Sequence, residues 1–149
     1  MPSILIVEKN DFLRKSLREA VEAQFPNCRF EDTGDGRVAL QKAHARTPDL
    51  AFVSMRLDGM TGLELTLRMK GAHPETVVCL LPDSNLPEYR TGARESGADF
   101  CVAMDSLTVG RLNSIVATIL RKTARRRRAV VKRQRPPARK TPNPSATAC

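Results

Sequence analysis

The sequence of 149 residues has no tryptophan, a single tyrosine and only two histidines. It contains no apolar run near the roughly 20 residues that a membrane span requires. Its four cysteines show neither CxxC nor zinc-ligand spacing, and His44 and His73 have no partner at metal or triad spacing. The N-terminal segment MPSILIVEKN has no basic region before an apolar stretch, so we predict no secretory signal and expect a cytoplasmic protein.

Acidic residues are missing from residue 121 onward, where the sequence carries eleven of its 25 lysines and arginines. The other 14 cations lie in residues 1–120 together with all 16 acidic residues, which gives that part a net charge of about −2. The sequence therefore predicts a near-neutral domain over 1–122, followed by a basic, proline-containing tail over 123–149.

Five apolar segments alternate with amphipathic ones along residues 3–120. Strands are predicted at 3–7, 28–31, 50–53, 77–81 and 100–103. Helices are predicted after Asn10 or Asp11, after Gly36, at 63–69, at 87–95 and after Ser106. This alternation predicts an α/β fold: one five-stranded parallel sheet, doubly wound as in flavodoxin, with helices on both faces. Because ligands bind such sheets at the carboxyl ends of the strands, we expect any site there.

A Rossmann-type nucleotide domain is the competing α/β interpretation. That fold needs a GxGxxG turn after its first strand, but the turn after 3–7 reads Glu8-Lys9-Asn10-Asp11. The interpretation is therefore disfavoured.

Residues 48–62 read PDLAFVSMRLDGMTG, a short buried strand that leads into a glycine-rich turn. SILIV precedes an acidic turn at the N-terminus, and Gly97-Ala98-Asp99 precedes the last strand. In this order and spacing, residues 3–120 resemble the receiver domain of bacterial response regulators, the CheY-like superfamily. The resemblance implies phosphorelay signalling, in which an aspartate accepts a phosphoryl group beside Mg²⁺ held by an acidic pair. It also implies a lysine that neutralises the phosphoryl oxygens and a Ser/Thr that hydrogen-bonds them.

The positions that carry this chemistry in the family are mostly replaced here. By the resemblance, the acceptor position is Ser54 and the acidic pair is Glu8 and Lys9. The Ser/Thr position is Pro82, with Leu81 as an alternative that also lacks a hydroxyl. The lysine position is Met104 and the aromatic switch position is Cys101. A neutral hydroxyl, an ammonium, a proline and a thioether cannot supply the nucleophile, the metal ligand, the donor or the counter-charge. The sequence therefore predicts a pseudo-receiver that has no enzymatic activity, no aspartyl phosphorylation and no bound Mg²⁺.

Three further carboxylates lie near these positions, and each has a simpler interpretation. Asp58 is interpreted as a turn residue, Asp11 as a helix cap and Asp83 as a loop residue. We also hypothesise that Glu8 and Lys9 form a charge network, with Lys9 standing where Mg²⁺ would be, which would hold one fixed conformation.

The basic tail is predicted to be disordered, apart from a turn or two that continues the last helix, because prolines follow and no apolar stripe remains. It is either a solubilising end or a contact for nucleic acid or another acidic surface, and the sequence leaves both open. Candidate contact residues are Arg125, Arg126, Arg127, Arg128, Lys132 and Arg133. Without aromatic residues, binding to nucleic acid would be sequence-neutral and salt-dependent.

Four functions remain for the whole chain. The first is a stand-alone pseudo-receiver that contacts a histidine kinase or regulator, or forms a homodimer, through residues 87–120, the face that receivers commonly use. The second is a small nucleic-acid-associated regulator anchored through its polybasic tail. The third is a conventional regulator that is phosphorylated. The fourth, an enzyme of another kind on the same sheet, is ranked lowest because no nucleophile–base pair or phosphate loop supports it.

Overall fold

The computed structural model describes residues 1–134, in which five parallel strands form one sheet. The strands are β1 (Ser3–Val7), β2 (Arg29–Thr33), β3 (Leu50–Ser54), β4 (Val77–Leu81) and β5 (Phe100–Cys101). Their order in the sheet is β2-β1-β3-β4-β5, and every neighbouring pair is parallel. The predicted fold class is confirmed.

Five helices connect and follow the strands. They are α1 (Asp11–Gln24), α2 (Gly36–Ala45), α3 (Gly62–Ala72), α4 (Pro87–Ser96) and α5 (Val109–Gln134), and a short 3₁₀ helix spans Met104–Ser106. Side chains of Asn10, Asp35 and Thr61 cap the first three helices by accepting hydrogen bonds from backbone N–H groups of the first turn. Within residues 1–134, no helix is long and apolar enough to cross a membrane.

The core lies in two layers, one on each face of the sheet. Alternate strand residues point to opposite faces, so Ile4 and Phe52 pack with α1 and α5, whereas Leu5 and Val53 pack with α2, α3 and α4. The strands β1 and β3 are buried along their whole length. This coverage on both faces buries the strand that ends at the acceptor position, β3, and the strand that precedes the acidic position, β1.

Several element bounds and one cap differ from the prediction. Strand β3 continues one residue further, to Ser54. Strand β2 begins at Arg29, so Cys28 precedes it, and β5 ends at Cys101 because the chain turns into the 3₁₀ helix soon afterwards. That short helix contains Ser106, which therefore does not cap α5. Thr108 takes this role, since its Oγ1 accepts a hydrogen bond of 3.1 Å from the N–H of Arg111.

The prediction that the chain is disordered from residue 123 is wrong for residues 123–134, which belong to the last helix. Helix α5 continues to Gln134, three turns past the predicted boundary. Residues 121–134 contain no proline or glycine and are rich in arginine, alanine and lysine, which favour helix. Arg127 also anchors the extension, because its Nη2 lies 2.9 Å from both carboxylate oxygens of Asp49. The rest of the predicted disordered tail, residues 135–149, lies outside the described residues.

Candidate functional site at the carboxyl edge of the sheet

A cavity of about 410 Å³ opens where β1, β3 and β4 end. Its lining includes Glu8, Lys9, Ser54, Arg56 and Asp83. Glu8 directly follows β1, Ser54 closes β3 and Asp83 comes two residues after β4. The structure therefore brings Glu8, Lys9 and Ser54 together at the edge that the topology predicts.

Ser54 and Glu8 are hydrogen-bonded to each other inside this cavity. The Oγ of Ser54 donates to Oε2 of Glu8, and both residues are buried, with 6% and 8% of their surface exposed. The other oxygen of the carboxylate, Oε1, accepts a bond of 3.1 Å from the N–H of Asn10. A buried carboxylate is costly unless donors satisfy it, and here each oxygen has one. The acceptor position and the single retained acidic position are therefore bound to each other.

Lys9 turns away from Glu8, so the hypothesis of a Glu8–Lys9 charge network is wrong. Its Nζ lies 3.5 Å from Oδ1 of Asp58, and both side chains are about 60% exposed. The side chain of Glu8 is buried at the edge of the sheet, whereas that of Lys9 is exposed and lies beside the carboxylate of Asp58 in the turn after β3. An ion pair this exposed contributes little stability, about 0–1 kcal/mol.

The turn that carries Asp58 is held by its backbone. The N–H of Asp58 donates to the carbonyl of Gly34 at 3.1 Å, and its carbonyl accepts from the N–H of Gly36 at 2.8 Å. Gly59 follows with φ of 81°, a left-handed conformation that glycine adopts without strain. Asp58 is thus a structural turn residue that also supplies the partner of Lys9.

The position of Ser54 depends on the close approach of α3. A Cβ atom added to Gly62 would lie 2.0 Å from the carbonyl oxygen of Ser54, and the N–H of Gly62 donates to Met55 at 2.8 Å. Only glycine allows the first turn of α3 to pack this tightly against the end of β3.

Pro82 directly follows β4, Cys101 ends β5 and Met104 begins the 3₁₀ helix after β5. The carbonyl of Pro82 accepts a hydrogen bond of 2.7 Å from the N–H of Met104, so the two positions are adjacent through their backbones. Pro82 is buried, and the half-buried Met104 packs against the core on the α1–α5 side. Cys101 is half-buried as well, and burial raises the pKa of its thiol. None of the three places a charge or a hydroxyl at the site.

The donor set around the cavity does not fit Mg²⁺. This ion requires six oxygen ligands in near-octahedral geometry, usually including one or two carboxylates that remain free to bind it. Glu8 already accepts hydrogen bonds from Ser54 and Asn10, and Lys9 places an ammonium on the rim of the cavity. Among residues 1–134, no group of three or more His, Cys, Asp or Glu side chains could hold a metal ion.

Two arginines near the site were not predicted from the sequence. Arg56 lines the cavity, and its place two residues after Ser54 could have indicated this. Arg14 donates from Nη1 to the carbonyl of Glu8 at 2.8 Å and from Nε to Asp32 at 2.9 Å. It therefore ties the loop after β1 to α1 and β2, which sequence spacing alone could not show.

A second surface, a groove of about 530 Å³, lies between α4, the edge strand β5 and the beginning of α5. Its lining includes Arg90, Arg94, Phe100, Cys101 and Arg111. These residues all fall within 87–120, the face that the sequence analysis assigned to a partner.

Comparisons with known proteins agree with the observed fold. Residues 4–106 match the family described as the response regulator receiver domain. Stress response regulator protein 1 of the yeast Debaryomyces hansenii is 26% identical over 68% of this chain and 43% of its own length. The cyclic di-GMP phosphodiesterase response regulator RpfG of Xanthomonas campestris is 31% identical over 67% of this chain and 27% of its own. The chain thus spans less than half the length of these relatives.

Solved structures share the fold at lower sequence identity. A CheY-like receiver domain protein from Methanospirillum hungatei superposes with a TM-score of 0.76 and 18% identity, covering 85% of this chain and 98% of its own. The signal receiver domain of a DNA-binding response regulator from Colwellia psychrerythraea gives 0.75 and 20%, covering 81% and 99%.

Proposed function

We propose that this chain, which belongs to the response regulator receiver domain family through its match over residues 4–106, is a pseudo-receiver that signals by protein contact without aspartyl phosphorylation. One observation carries the proposal: the hydroxyl of Ser54 is bonded to Glu8 in the cavity where a receiver would accept a phosphoryl group. The contact leaves neither residue free for that reaction.

The side chains around Ser54 support the same conclusion. Acyl-phosphate formation needs a carboxylate nucleophile, whereas a serine hydroxyl is neutral and would give a phosphoester instead. Transfer also needs cations and donors aimed at the phosphoryl oxygens. Met104 brings no ammonium and Pro82 no hydroxyl, and Lys9 is paired with Asp58 on the rim.

A receiver of this kind would present one constant surface to its partner. The Ser54–Glu8 bond ties the end of β3 to β1, and the Lys9–Asp58 pair joins the loops that follow these two strands. Without a phosphoryl group or metal to rearrange them, these loops have no ligand that shifts the conformational equilibrium. The face formed by residues 87–120 is the proposed contact for a histidine kinase, a regulator or a second copy of the chain, and its three groove arginines favour an acidic partner surface.

A phosphotransfer assay tests the proposal. The protein is incubated with a radiolabelled small phosphodonor and Mg²⁺, together with the variants Ser54→Asp and Lys9→Asp/Ser54→Asp/Pro82→Thr/Met104→Lys. We expect no hydroxylamine-labile label on the wild type or on Ser54→Asp, and label on the quadruple variant. The triple variant that keeps Ser54 is the matched control and should remain unlabelled. A hydroxylamine-labile acyl phosphate on the wild type would disprove the proposal.

A further inference from the structure

The second half of α5 extends beyond the sheet and carries an unusual density of positive charge. The last core residue of this helix is Ile119, and eight lysines and arginines follow between Arg121 and Arg133, with no acidic residue among them. The helix continues unbroken to Gln134. These cations are therefore held on a folded scaffold over that stretch.

The helical repeat places these cations on different sides of α5. Val116 and Ile119 face the core, and Thr123 and Arg127 continue their stripe at intervals of four. Arg121, Arg125, Arg128 and Lys132, spaced by four, three and four, form a stripe on the opposite side. Lys122 and Arg133 lie beside this stripe, both on the same side of it. We call these six residues the basic face: Arg121, Lys122, Arg125, Arg128, Lys132 and Arg133.

Contacts with the domain fix the direction in which the basic face points. Arg127 makes its two bonds of 2.9 Å to Asp49, just before β3, and Nη1 of Arg126 lies 3.4 Å from the carbonyl of Glu75. Of the eight cations, Arg127 alone has a carboxylate partner among residues 1–134. The helix is thus anchored on its inner side, and the basic face is exposed to solvent.

We propose that the basic face binds the phosphate backbone of duplex nucleic acid, a function beyond that of the receiver domain. Arg121 and Arg133 are separated by twelve helical rises of 1.5 Å, or about 18 Å, so six cations give roughly one charge per 3 Å. Duplex DNA carries one negative charge per about 1.7 Å of its axis, a comparable linear density. Phosphate contacts alone position a protein without reading sequence, so the binding is sequence-neutral.

The same face is poorly suited to an anionic membrane. A helix that lies in the bilayer interface needs a broad apolar side, usually with aromatic residues or leucines. The basic face encloses only Ala129, and residues 121–134 contain no aromatic residue or leucine. The exposed valines, Val130 and Val131, line a cavity with Pro48 and Arg127 on the inner side of the helix.

Fluorescence-anisotropy titrations of the full chain test the proposal. The probes are DNA and RNA duplexes of about 30 base pairs, with vesicles rich in phosphatidylserine as the third arm. Six phosphate contacts predict that log K falls with log[salt] with a slope near −5, an affinity loss of about 10³-fold between 50 and 200 mM salt. The triple variant Arg121→Gln/Arg125→Gln/Arg128→Gln should reduce that slope by about 3. Glutamine has a helix propensity close to that of arginine, so the variant should keep the helix. Circular dichroism checks that it does.

A charge-matched control separates a folded surface from a general polycation effect. Arg135→Gln/Arg139→Gln/Lys140→Gln removes the same charge from the residues that follow the described helix. We expect it to change the slope by less than half as much as the basic-face triple. Equal losses in the two triples, vesicle binding without duplex binding, or no duplex binding at about 50 mM salt would each overturn the proposal. Because none of these results involves phosphotransfer, they leave the pseudo-receiver proposal standing.

Discussion

Ser54 at the end of β3 donates a hydrogen bond to Glu8 at the end of β1, and both side chains are buried. In a receiver domain these positions would hold the phosphoryl group and the metal together. Here the two side chains are hydrogen-bonded to each other. Under the pseudo-receiver proposal this contact is structural and not reactive, and it has consequences for stability that can be measured.

Replacing Ser54 with aspartate should destabilise the protein without creating a phosphorylation site. The new carboxylate would face Glu8 in a buried setting, and two like charges there cost about 1–3 kcal/mol in the free energy of unfolding at pH 7. The loss should shrink between pH 7 and about pH 4, because the repulsion raises the pKa of one of the two carboxyls in the folded variant and protonating that carboxyl removes the repulsion. Urea denaturation at both pH values measures this. Ser54→Ala, which removes the donor to Glu8 without adding a charge, is the control. An aspartate variant as stable as the wild type at pH 7 would contradict the geometry.

Gly62 should tolerate no side chain, in contrast to another glycine in the same helix. A Cβ at Gly62 would overlap the carbonyl of Ser54, so Gly62→Ala should lower the free energy of unfolding by about 1–3 kcal/mol or more. Gly71 has nothing within 4 Å of an added Cβ, and Gly71→Ala should be neutral or stabilising by up to about 1 kcal/mol. Thermal or urea unfolding compares the two. Equal effects would mean that α3 does not approach β3 as described.

Cys79 should make the protein less stable at high pH. Burial in the sheet raises the pKa of its thiol to about 12. Between about pH 9 and 12 the unfolded thiol loses its proton and the folded one keeps it, so the free energy of unfolding should fall by up to about 1.4 kcal/mol per pH unit. Subtracting the pH profile of Cys79→Ala removes the contribution of other titrating groups. If the two profiles ran parallel above pH 9, the thiol would not be buried as described.

Arg127 should hold the extension of α5 in place, whereas its neighbour Arg128 should not. A partly exposed pair in which one guanidinium nitrogen of Arg127 contacts both oxygens of Asp49 contributes about 1 kcal/mol, so Arg127→Gln should speed amide hydrogen exchange in residues 121–130 about threefold to fivefold. Arg128→Gln removes the same charge from the basic face and should leave exchange nearly unchanged. Similar rates in both variants would show that the ion pair does not anchor the helix.

The fold could be predicted from the sequence because the alternation of apolar and amphipathic segments fits one arrangement, a parallel sheet with helices on both faces. The unbroken runs at 3–7 and 77–81 predicted buried parallel strands, and all five strands and helices were located. The boundary of α5 was missed for a physical reason: the extension has no apolar stripe after Leu120, and its helix is supported by propensity and by an ion pair to Asp49, 78 residues earlier in the chain.

The site could be predicted in position but not in its contacts. Topology alone placed Glu8, Lys9 and Ser54 at one edge of the sheet. It could not tell that Lys9 would pair with Asp58, since that depends on how two loops cross. Nor could it show that Glu8 accepts the hydroxyl of Ser54, a contact between residues 46 positions apart that depends on side-chain direction.

The most direct test of the pseudo-receiver proposal is a titration of the ¹⁵N-labelled protein with Mg²⁺ and beryllofluoride, a phosphoryl mimic. The amide chemical shifts of Glu8, Lys9 and Ser54 are followed at each step. If Ser54 and Glu8 stay hydrogen-bonded to each other, these chemical shifts should change only by the small, non-saturating drift that ionic strength causes. Saturable shifts at Glu8 and Ser54 would show that the cavity accepts the ion and the mimic, and the proposal would be wrong.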